Sequence, residues 1–381
     1  MIEKRLLIQD FIKNNKDWEK ILTNPPYCIN ISRDSVFNHN LILFKYDQQN
    51  ADFNNPIVRE CRGLILDENS FEKITVPFFK FGNYGESYCP TIDWNSSYVG
   101  EKIDGSLIKI VNIDGDLLIS TNGTIDAFKA TLANQPSCSA RSYGDLVIEA
   151  LKTDNLTLET LKPYILPNHT YMFELTSPYN KVVVSWNETR LYFLGERGNI
   201  TLQETYFNSS SLTHLFKTPR IYPLKSLDDC IEASSHLSSN EEGYVVCDKD
   251  FNRIKIKSPL YVSLHHMANN HIMTYERGLE IVRKNEIDEV ITYFPEFEKD
   301  LLKIKSDLAN LLFNLKDSYS RYLIEAKRAE NRKEQAVIIQ KTFGKHAAVG
   351  FLLLDKKINS IEEWLNTLPT IRLMKHLGYK D

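Results

Sequence analysis

The sequence predicts an α+β fold over residues 1–266 and an all-helical domain over residues 267–381. Three observations predict this. Short β-like runs, rich in branched and aromatic residues, recur from Ile29 to Lys257, parted by turn pairs such as Asp114-Gly115 and Asn122-Gly123. Helical patterns interrupt these runs irregularly, which fits mixed or antiparallel sheets with flanking helices better than βαβ repeats. After His266 the strand signal stops, and Phe297, Leu301, Ile304, Leu308, Leu311, Leu315, Tyr319 and Tyr322 recur at three- and four-residue steps.

Taken in order, residues 1–24 read as a helix whose apolar face includes Leu6, Leu7, Phe11, Trp18 and Ile21, ended by Pro25-Pro26. Strands are expected at Ile29–Ile31, Leu41–Tyr46, Gly63–Leu66, Ile74–Val76, Leu107–Val111 and Leu117–Ser120. A helix over Tyr143–Leu161 ends before Pro163. Strands resume at Tyr171–Leu175, Lys181–Ser185, Leu191–Leu194, Gly243–Cys247 and Arg253–Lys257, with a helix at Leu227–His236 before the last two. Ser360 and Glu363 form a capping-box pattern that opens a further helix.

Composition narrows the class. A chain of 381 residues with 42% hydrophobic and 25% charged residues can build two packed domains. Its net charge of −4 excludes wholesale coating of nucleic acid, so any such partner must meet a local basic patch. The six cysteines are scattered without a C-x-x-C pair, which argues against a zinc ribbon and for a reducing compartment. No apolar region follows the charged N-terminus, and the apolar run Val349–Leu354 is too short to cross a bilayer. A cytoplasmic protein with no membrane partner is expected.

The chemistry concentrates in six clusters. Lys102-Ile103-Asp104-Gly105-Ser106 places a lysine and an Asp-Gly turn where a loop enters a strand. Arg59-Glu60-Cys61-Arg62-Gly63 offers Arg62 for bidentate phosphate binding beside a glycine that permits close approach. Phe79-Lys80-Phe81 sets a cation between rings, suited to a base stack and a phosphate. Glu174 lies inside the apolar strand Tyr171–Leu175, where a carboxylate needs a partner. Glu242 opens the strand Gly243–Cys247. In Arg253–Lys257, Lys255 and Lys257 share one face and Ile254 and Ile256 the other. Singly, each cluster also fits a solvated face or a structural ion pair. Their joint order carries the reading.

In that order the clusters resemble the motif set of covalent nucleotidyltransferases, the superfamily of ATP-dependent ligases and mRNA capping enzymes. DNA ligases and capping enzymes carry arginine two positions after the glycine; here that residue is Leu107, and the K-x-D-G-S form is that of RNA ligases. Glu60-Cys61-Arg62-Gly63, Phe173-Glu174, Glu242-Gly243-Tyr244-Val245, and the stretch from Ile254-Lys255-Ile256-Lys257-Ser258 through Tyr261–His265 look like the RNA ligase 1 family of T-even phages. The resemblance implies a nucleotidyltransferase (ATP-grasp-like ligase) domain followed by a helical domain for RNA or tRNA specificity. It implies three steps: AMP transfer from ATP to the enzyme, AMP transfer to an RNA 5′-phosphate, and joining to a 3′-hydroxyl with release of AMP. ATP, Mg²⁺ or Mn²⁺, and RNA are the implied cofactors and partner, with tRNA broken in the anticodon loop as the target. A separate polynucleotide kinase-phosphatase and a monomeric state are also expected.

Carried over by position, Lys102 is the expected nucleophile, supported by Asp104 and Gly105 in its own turn and by Glu60. An ordinary lysine, with a pKa of about 10.4, is almost wholly protonated at neutral pH. Lys255, Lys257 and the metal would favour its neutral form and stabilise the α-phosphate. Glu174 would bind the ribose hydroxyls. Glu242 would contact Lys102 or orient water ligands of the metal, near which Asp288 and Glu289 also resemble an acidic pair. Arg62, Lys80 and Tyr46 would contact ribose or phosphates. One departure stands out: where the family has a lysine, this chain has Asn122, and Lys109 or Lys129 are the nearby substitutes. Two other readings remain open, a DNA ligase or capping-type enzyme and a non-catalytic RNA-binding module. A metal cluster at His265, His266 and His271 is disfavoured for lack of an acidic or cysteine partner at ligand spacing.

Overall fold

A computed structural model of the chain describes residues 3–132, 141–180, 183–238, 240–259, 261–262 and 273–379. Cys138, Ser263–His265, His266, His271 and the Lys181-Val182 part of one expected strand lie outside them. The chain divides into two compact units, Met1–His265 and His266–Asp381.

Three sheets build the first unit, and their strand pairings are antiparallel throughout the described residues. The first holds β1 (Ile29–Val36), β2 (His39–Tyr46), β3 (Arg62–Asp67) and β4 (Lys73–Thr75), in that order. The second runs β10 (Glu204–Tyr206), β9 (Arg190–Gly198), β8 (His169–Thr176), β6 (Ser106–Ile113), β7 (Asp116–Thr121). The third runs β11 (Ile221–Tyr222), β5 (Tyr98–Glu101), β12 (Gly243–Cys247), β13 (Arg253–Lys257). Branched and aromatic residues place β2, β6 and β8 in the core: Ile42, Phe44, Ile108, Ile110, Tyr171 and Phe173 are all buried.

Helices close the edges. α1 (Leu7–Asn14) and α2 (Trp18–Leu22) replace the single helix expected over residues 1–24, and α3 (Pro56–Glu60) begins on Asn55, whose side chain accepts from the Ile57 amide. The helix expected over Tyr143–Leu161 is two, α4 (Tyr143–Thr153) and α5 (Leu158–Leu161), parted at Asn155, which has φ +57°. Ser142 and Asp145 cap α4 reciprocally at 3.0 and 2.8 Å. α6 (Leu227–Ser235) precedes β12. No strand forms at Val183–Ser185, because the Asp104 carboxylate takes the Val183 and Val184 amides that a ladder would use.

The second unit is helical in its described residues. Its longest helix, Glu298–Glu325, buries Leu301, Ile304, Leu311, Leu315 and Tyr322. Arg332–Leu354 is a 23-residue apolar stretch long enough to cross a membrane by length and composition. Gly344, at φ +53°, breaks it into Arg332–Phe343 and Ala347–Leu354, and Ile339, Phe343 and Val349 pack in the unit's core. Ser360 caps Ile361–Thr367 through the Glu363 amide at 3.0 Å, while Glu363 reaches back to the Asn359 amide at 2.9 Å.

Candidate active site

All three sheets send residues to one cavity of about 280 Å³. β3 contributes Arg62. β6 and β8 contribute Leu107 and Glu174, which face each other across the ladder, and β5, β12 and β13 contribute Tyr98, Gly100, Val245 and Lys255. Lys102 lies in the loop between β5 and β6, its amide donating to the Gly243 carbonyl at 2.8 Å. Gly243 is needed here: at φ +144° a Cβ would stand 2.2 Å from the Ile256 carbonyl oxygen.

Lys102 Nζ donates to Glu242 Oε2 at 2.6 Å, and Lys257 Nζ stands 3.9 Å from the other oxygen. Glu242 is 4% exposed, so one buried carboxylate stands between two ammonium groups, of which Lys102 lines the cavity. Lys255, on the same face of β13 as Lys257, lies 5.1 Å from the Phe81 ring centroid. Burial, then the neighbouring Lys80, Lys102, Arg62 and Lys257, pull its ammonium pKa well below the ordinary lysine range. Burial pushes the Glu174 carboxyl up to about 7, with Glu242 adding to the rise and Lys102 and Arg62 opposing it. The cavity therefore gathers cations around the Lys102 loop, with one carboxylate on the lysine and a second, Glu174, in the lining.

Asp104 does not face the cavity. Its Oδ2 accepts from the Val183 and Val184 amides at 3.0 and 2.7 Å, its Oδ1 accepts from the Tyr261 hydroxyl at 3.0 Å, and its carbonyl accepts from Trp186 Nε1 at 2.8 Å. It fixes the turn that aims Lys102. Asp104→Ala keeps the carbonyl that Trp186 uses but leaves the Val183 and Val184 amides and the Tyr261 hydroxyl without this acceptor, and the expected result is a loss of about 3 kcal/mol in denaturant unfolding. Gly105 has a packing reason: a Cβ there would meet the Leu175 carbonyl oxygen at 2.4 Å.

Asn122 and Arg62 both line the cavity, and the Asn122 backbone packs on Gly63, where a Cβ would lie 2.7 Å from Asn122 Cα. Among the described residues, Arg62 Nη1 and Asn122 Oδ1 are buried without hydrogen-bond partners. Such a donor and acceptor can take a partner from the cavity, water or a ligand. Behind them Lys109 is fully buried and donates to the Gly63 carbonyl; burial and then Arg62 pull its pKa to about 7. Lys129 instead pairs with Asp34 at 2.6 Å on the surface. Of the two substitutes for a missing lysine at 122, Lys109 is the one at this wall.

Five further expected site residues are not part of the cavity lining. Glu60 is 6% exposed and accepts from the Leu7 and Ile8 amides at 3.0 and 2.9 Å. It ties α1 to α3 and does not reach the cavity; burial raises its pKa to about 7. Asp288 and Glu289 occupy the first turn of helix Ile287–Tyr293 in the second unit. Lys80 and Tyr46 lie outside the cavity lining: Lys80 Nζ is 5.5 Å from the Tyr46 ring centroid and 4.7 Å from that of Phe53. Sequence reasoning missed the apolar walls, Tyr98, Leu194, Phe207 and Val245. Tyr98 and Phe207 meet edge to face at 5.7 Å. Nothing in sequence separates these from ordinary core residues. A divalent ion fits weakly by protein ligands alone: no cluster of three acidic, histidine or cysteine residues exists among the described residues. Mg²⁺ commonly takes one or two carboxylates and completes its shell with water and substrate phosphates, and Glu242 suits that donor set.

A sequence model of the RNA ligase family matches residues 60–261, a little over half of the 381 residues. The chain belongs to the RNA ligase family. A protein of Autographa californica nuclear polyhedrosis virus, named for polynucleotide kinase and RNA ligase functions, is 31% identical over 291 residues, covering 72% of this chain. This chain spans 40% of the length of that viral relative. An RNA ligase of Rhodothermus phage RM378 is 24% identical over 373 residues, covering 80% of this chain and 81% of the phage protein. Among solved structures, an archaeal ATP-dependent RNA ligase aligns with a TM-score of 0.45 at 11% identity, over 99% of this chain and 93% of the archaeal one. The stretch matched to the RNA ligase family contains Lys102, Glu174 and Lys255 of the cavity lining, together with Glu242 and Lys257, which pair beside it.

Proposed function

We propose that this chain is an active ATP-dependent RNA ligase in which Lys102 carries AMP. The observation that carries the reading is that Lys102, Glu174 and Lys255 line one cavity, with Lys102 held by the buried Glu242, which also stands 3.9 Å from Lys257. Lys102 Nζ attacks the α-phosphorus of ATP; the P–N bond forms, the bond to the β-phosphate oxygen breaks, and pyrophosphate leaves. Glu242 Oε2, at 2.6 Å, is the nearest acceptor for the proton the amine sheds. Lys255 and Lys257 balance charge on the α-phosphate. Next, an oxygen of the RNA 5′-phosphate displaces Lys102 from the AMP phosphorus. Finally the 3′-hydroxyl attacks the RNA 5′-phosphorus and AMP leaves. A bound Mg²⁺ or Mn²⁺ on Glu242 and the substrate phosphates would supply further charge neutralisation. Arg62 and Asn122 offer their unpartnered donor and acceptor to the nucleotide, Glu174 takes the ribose hydroxyls, and Lys80 with Tyr46 faces the outer phosphates.

The Glu174 role has a pH signature. Because its folded pKa of about 7 exceeds the ordinary value, protonation favours the empty fold below that value, and this contribution fades as pH rises through about 7. Ribose hydroxyls donate to the ionised carboxylate. ATP affinity, measured by calorimetry without divalent metal, should rise about tenfold more between roughly pH 6 and pH 8 than in Glu174→Gln. An equal pH dependence in both proteins contradicts the assignment.

The direct functional test is circularisation of 5′-phosphorylated single-stranded RNA, compared with single-stranded DNA and with nicked duplex. Sealing of the RNA is expected; preference for a DNA nick favours the DNA-ligase reading. We assign the second unit to tRNA specificity and take tRNA cut in the anticodon loop as substrate, with a separate kinase-phosphatase preparing the ends. Removal of residues 267–381 should spare sealing of simple RNA and weaken tRNA sealing about tenfold or more; equal loss on both contradicts it. A reducing, cytoplasmic setting is in keeping with the five described cysteines, which form no disulfide.

A further inference from the structure

A second cleft adjoins the nucleotide cavity, with Phe81 and Arg253 in the walls of both. Its volume is about 760 Å³, against about 280 Å³ for the cavity. The N-terminal segment contributes Lys4, the end of α3 contributes Arg59, and the β12–β13 turn contributes Lys249. Six basic side chains line the cleft against two acidic ones, on a chain whose net charge is −4. One of those acids, Glu204, is 7% exposed and bound to the buried Arg197 and Arg253, so these three largely satisfy one another and the mouth keeps Lys4, Arg59, Lys80 and Lys249 against Asp250.

The remaining cations are placed toward solvent with weak or no acidic pairing. Lys4, Arg59 and Lys80 have no carboxylate partner among the described residues. Lys249 meets Asp93 only at 3.7 Å, with its side chain 65% exposed. Arg59 is braced rather than neutralised: its Nη1 donates to the Phe53 and Asn54 carbonyls at 2.8 and 3.0 Å. The rings of Phe79, Tyr88 and Phe251 stand among these charges, each partly exposed. Cations interleaved with aromatic faces along a groove are what a flexible polynucleotide strand needs, phosphates on the charges and bases on the rings.

We propose that this cleft holds the single-stranded RNA whose 5′-phosphate is activated at Lys102. The proposal rests on the ligase reading above and adds to it the surface that binds the substrate. The outer phosphates of ATP share the cleft's chemistry, and Lys80 stands at the side that would meet them. A triphosphate does not call for Lys4, Arg59 and Lys249 together with three rings; a strand of several nucleotides does. The shared wall at Phe81 and Arg253 brings the strand's end to the nucleotide.

The test uses the full chain and leaves the nucleotide cavity intact. In Lys4→Ala/Arg59→Ala/Lys249→Ala, binding of a short 5′-phosphorylated oligoribonucleotide is followed against salt, and lysyl-AMP formation is followed with labelled ATP. Loss of three phosphate contacts should flatten the slope of log affinity against log salt by about 2. Lysyl-AMP formation should stay within about twofold of the unaltered protein. Lys4→Glu/Lys249→Glu, which changes only exposed side chains, should weaken RNA binding in the same direction and guards against a folding defect at Arg59. An unchanged salt slope in both variants overturns the proposal. Loss of lysyl-AMP formation with RNA binding intact also overturns it, and gives the cleft to the triphosphate. Absence of lysyl-AMP in the unaltered protein removes the ligase reading, while the slope still reports separately whether the cleft binds RNA.

Discussion

Lys102→Ala should abolish covalent transfer of AMP, lowering the rate of acid-precipitable labelling from α-labelled ATP by about 10⁴-fold or more. The size of the effect follows from geometry. Lys102 is the lysine that lines the cavity on the loop between β5 and β6, and its backbone is fixed by the Gly243 carbonyl at 2.8 Å. Lys255 also lines the cavity, but it projects from a strand and its backbone is bound on both sides, to Gly82 and Tyr84. Non-covalent ATP binding should survive, because Arg62, Glu174 and Lys255 remain. Retention of labelling in Lys102→Ala would move the nucleophile elsewhere.

The next largest effect is expected at Glu242. Glu242→Gln keeps shape and one hydrogen bond to Lys102 but loses the proton acceptor and the charge that holds Lys102 and Lys257. Lysyl-AMP formation should slow by about 10²–10³, with single-turnover labelling as the readout. Glu242→Ala goes further: the pair is buried at 4% exposure for Glu242 and 20% for Lys102, and removing one partner should cost about 3 kcal/mol in unfolding. A Gln variant of normal stability and slow chemistry separates the chemical role from the structural one. A Gln variant of normal rate would leave Glu242 as a structural partner alone.

The legible part of the site was its charge. Glu174, Lys255 and Lys257 interrupt apolar strands, and such interruptions need a reason that sequence alone can register. Glu60, expected from the resemblance alone to support Lys102, is instead bound to the amides at the start of α1, a partner 52 residues away in sequence. The cavity's walls left no trace, because Tyr98, Phe207 and Val245 read as core whether or not a ligand lies against them. Long strands such as β2, β6 and β8 were legible from their branched runs. β5, β10 and β11 are two to four residues long, and only their distant partners make them strands. The Val182–Val184 run points to a strand by propensity, and Asp104 overrides it for the two described residues by taking their amides. Lys109 shows the limit most clearly: sequence offered it equally with Lys129 as a substitute at 122, and only the fold set its Nζ against Gly63 and paired Lys129 with Asp34.

The most direct test of the account is the site of nucleotide attachment. The purified full chain, incubated with ATP and Mg²⁺ without RNA, is digested and the AMP-bearing peptide sequenced by mass spectrometry. The account predicts one phosphoramidate-linked AMP on Lys102. AMP on Lys255, Lys257 or any other residue, or no adduct at saturating ATP, would contradict it.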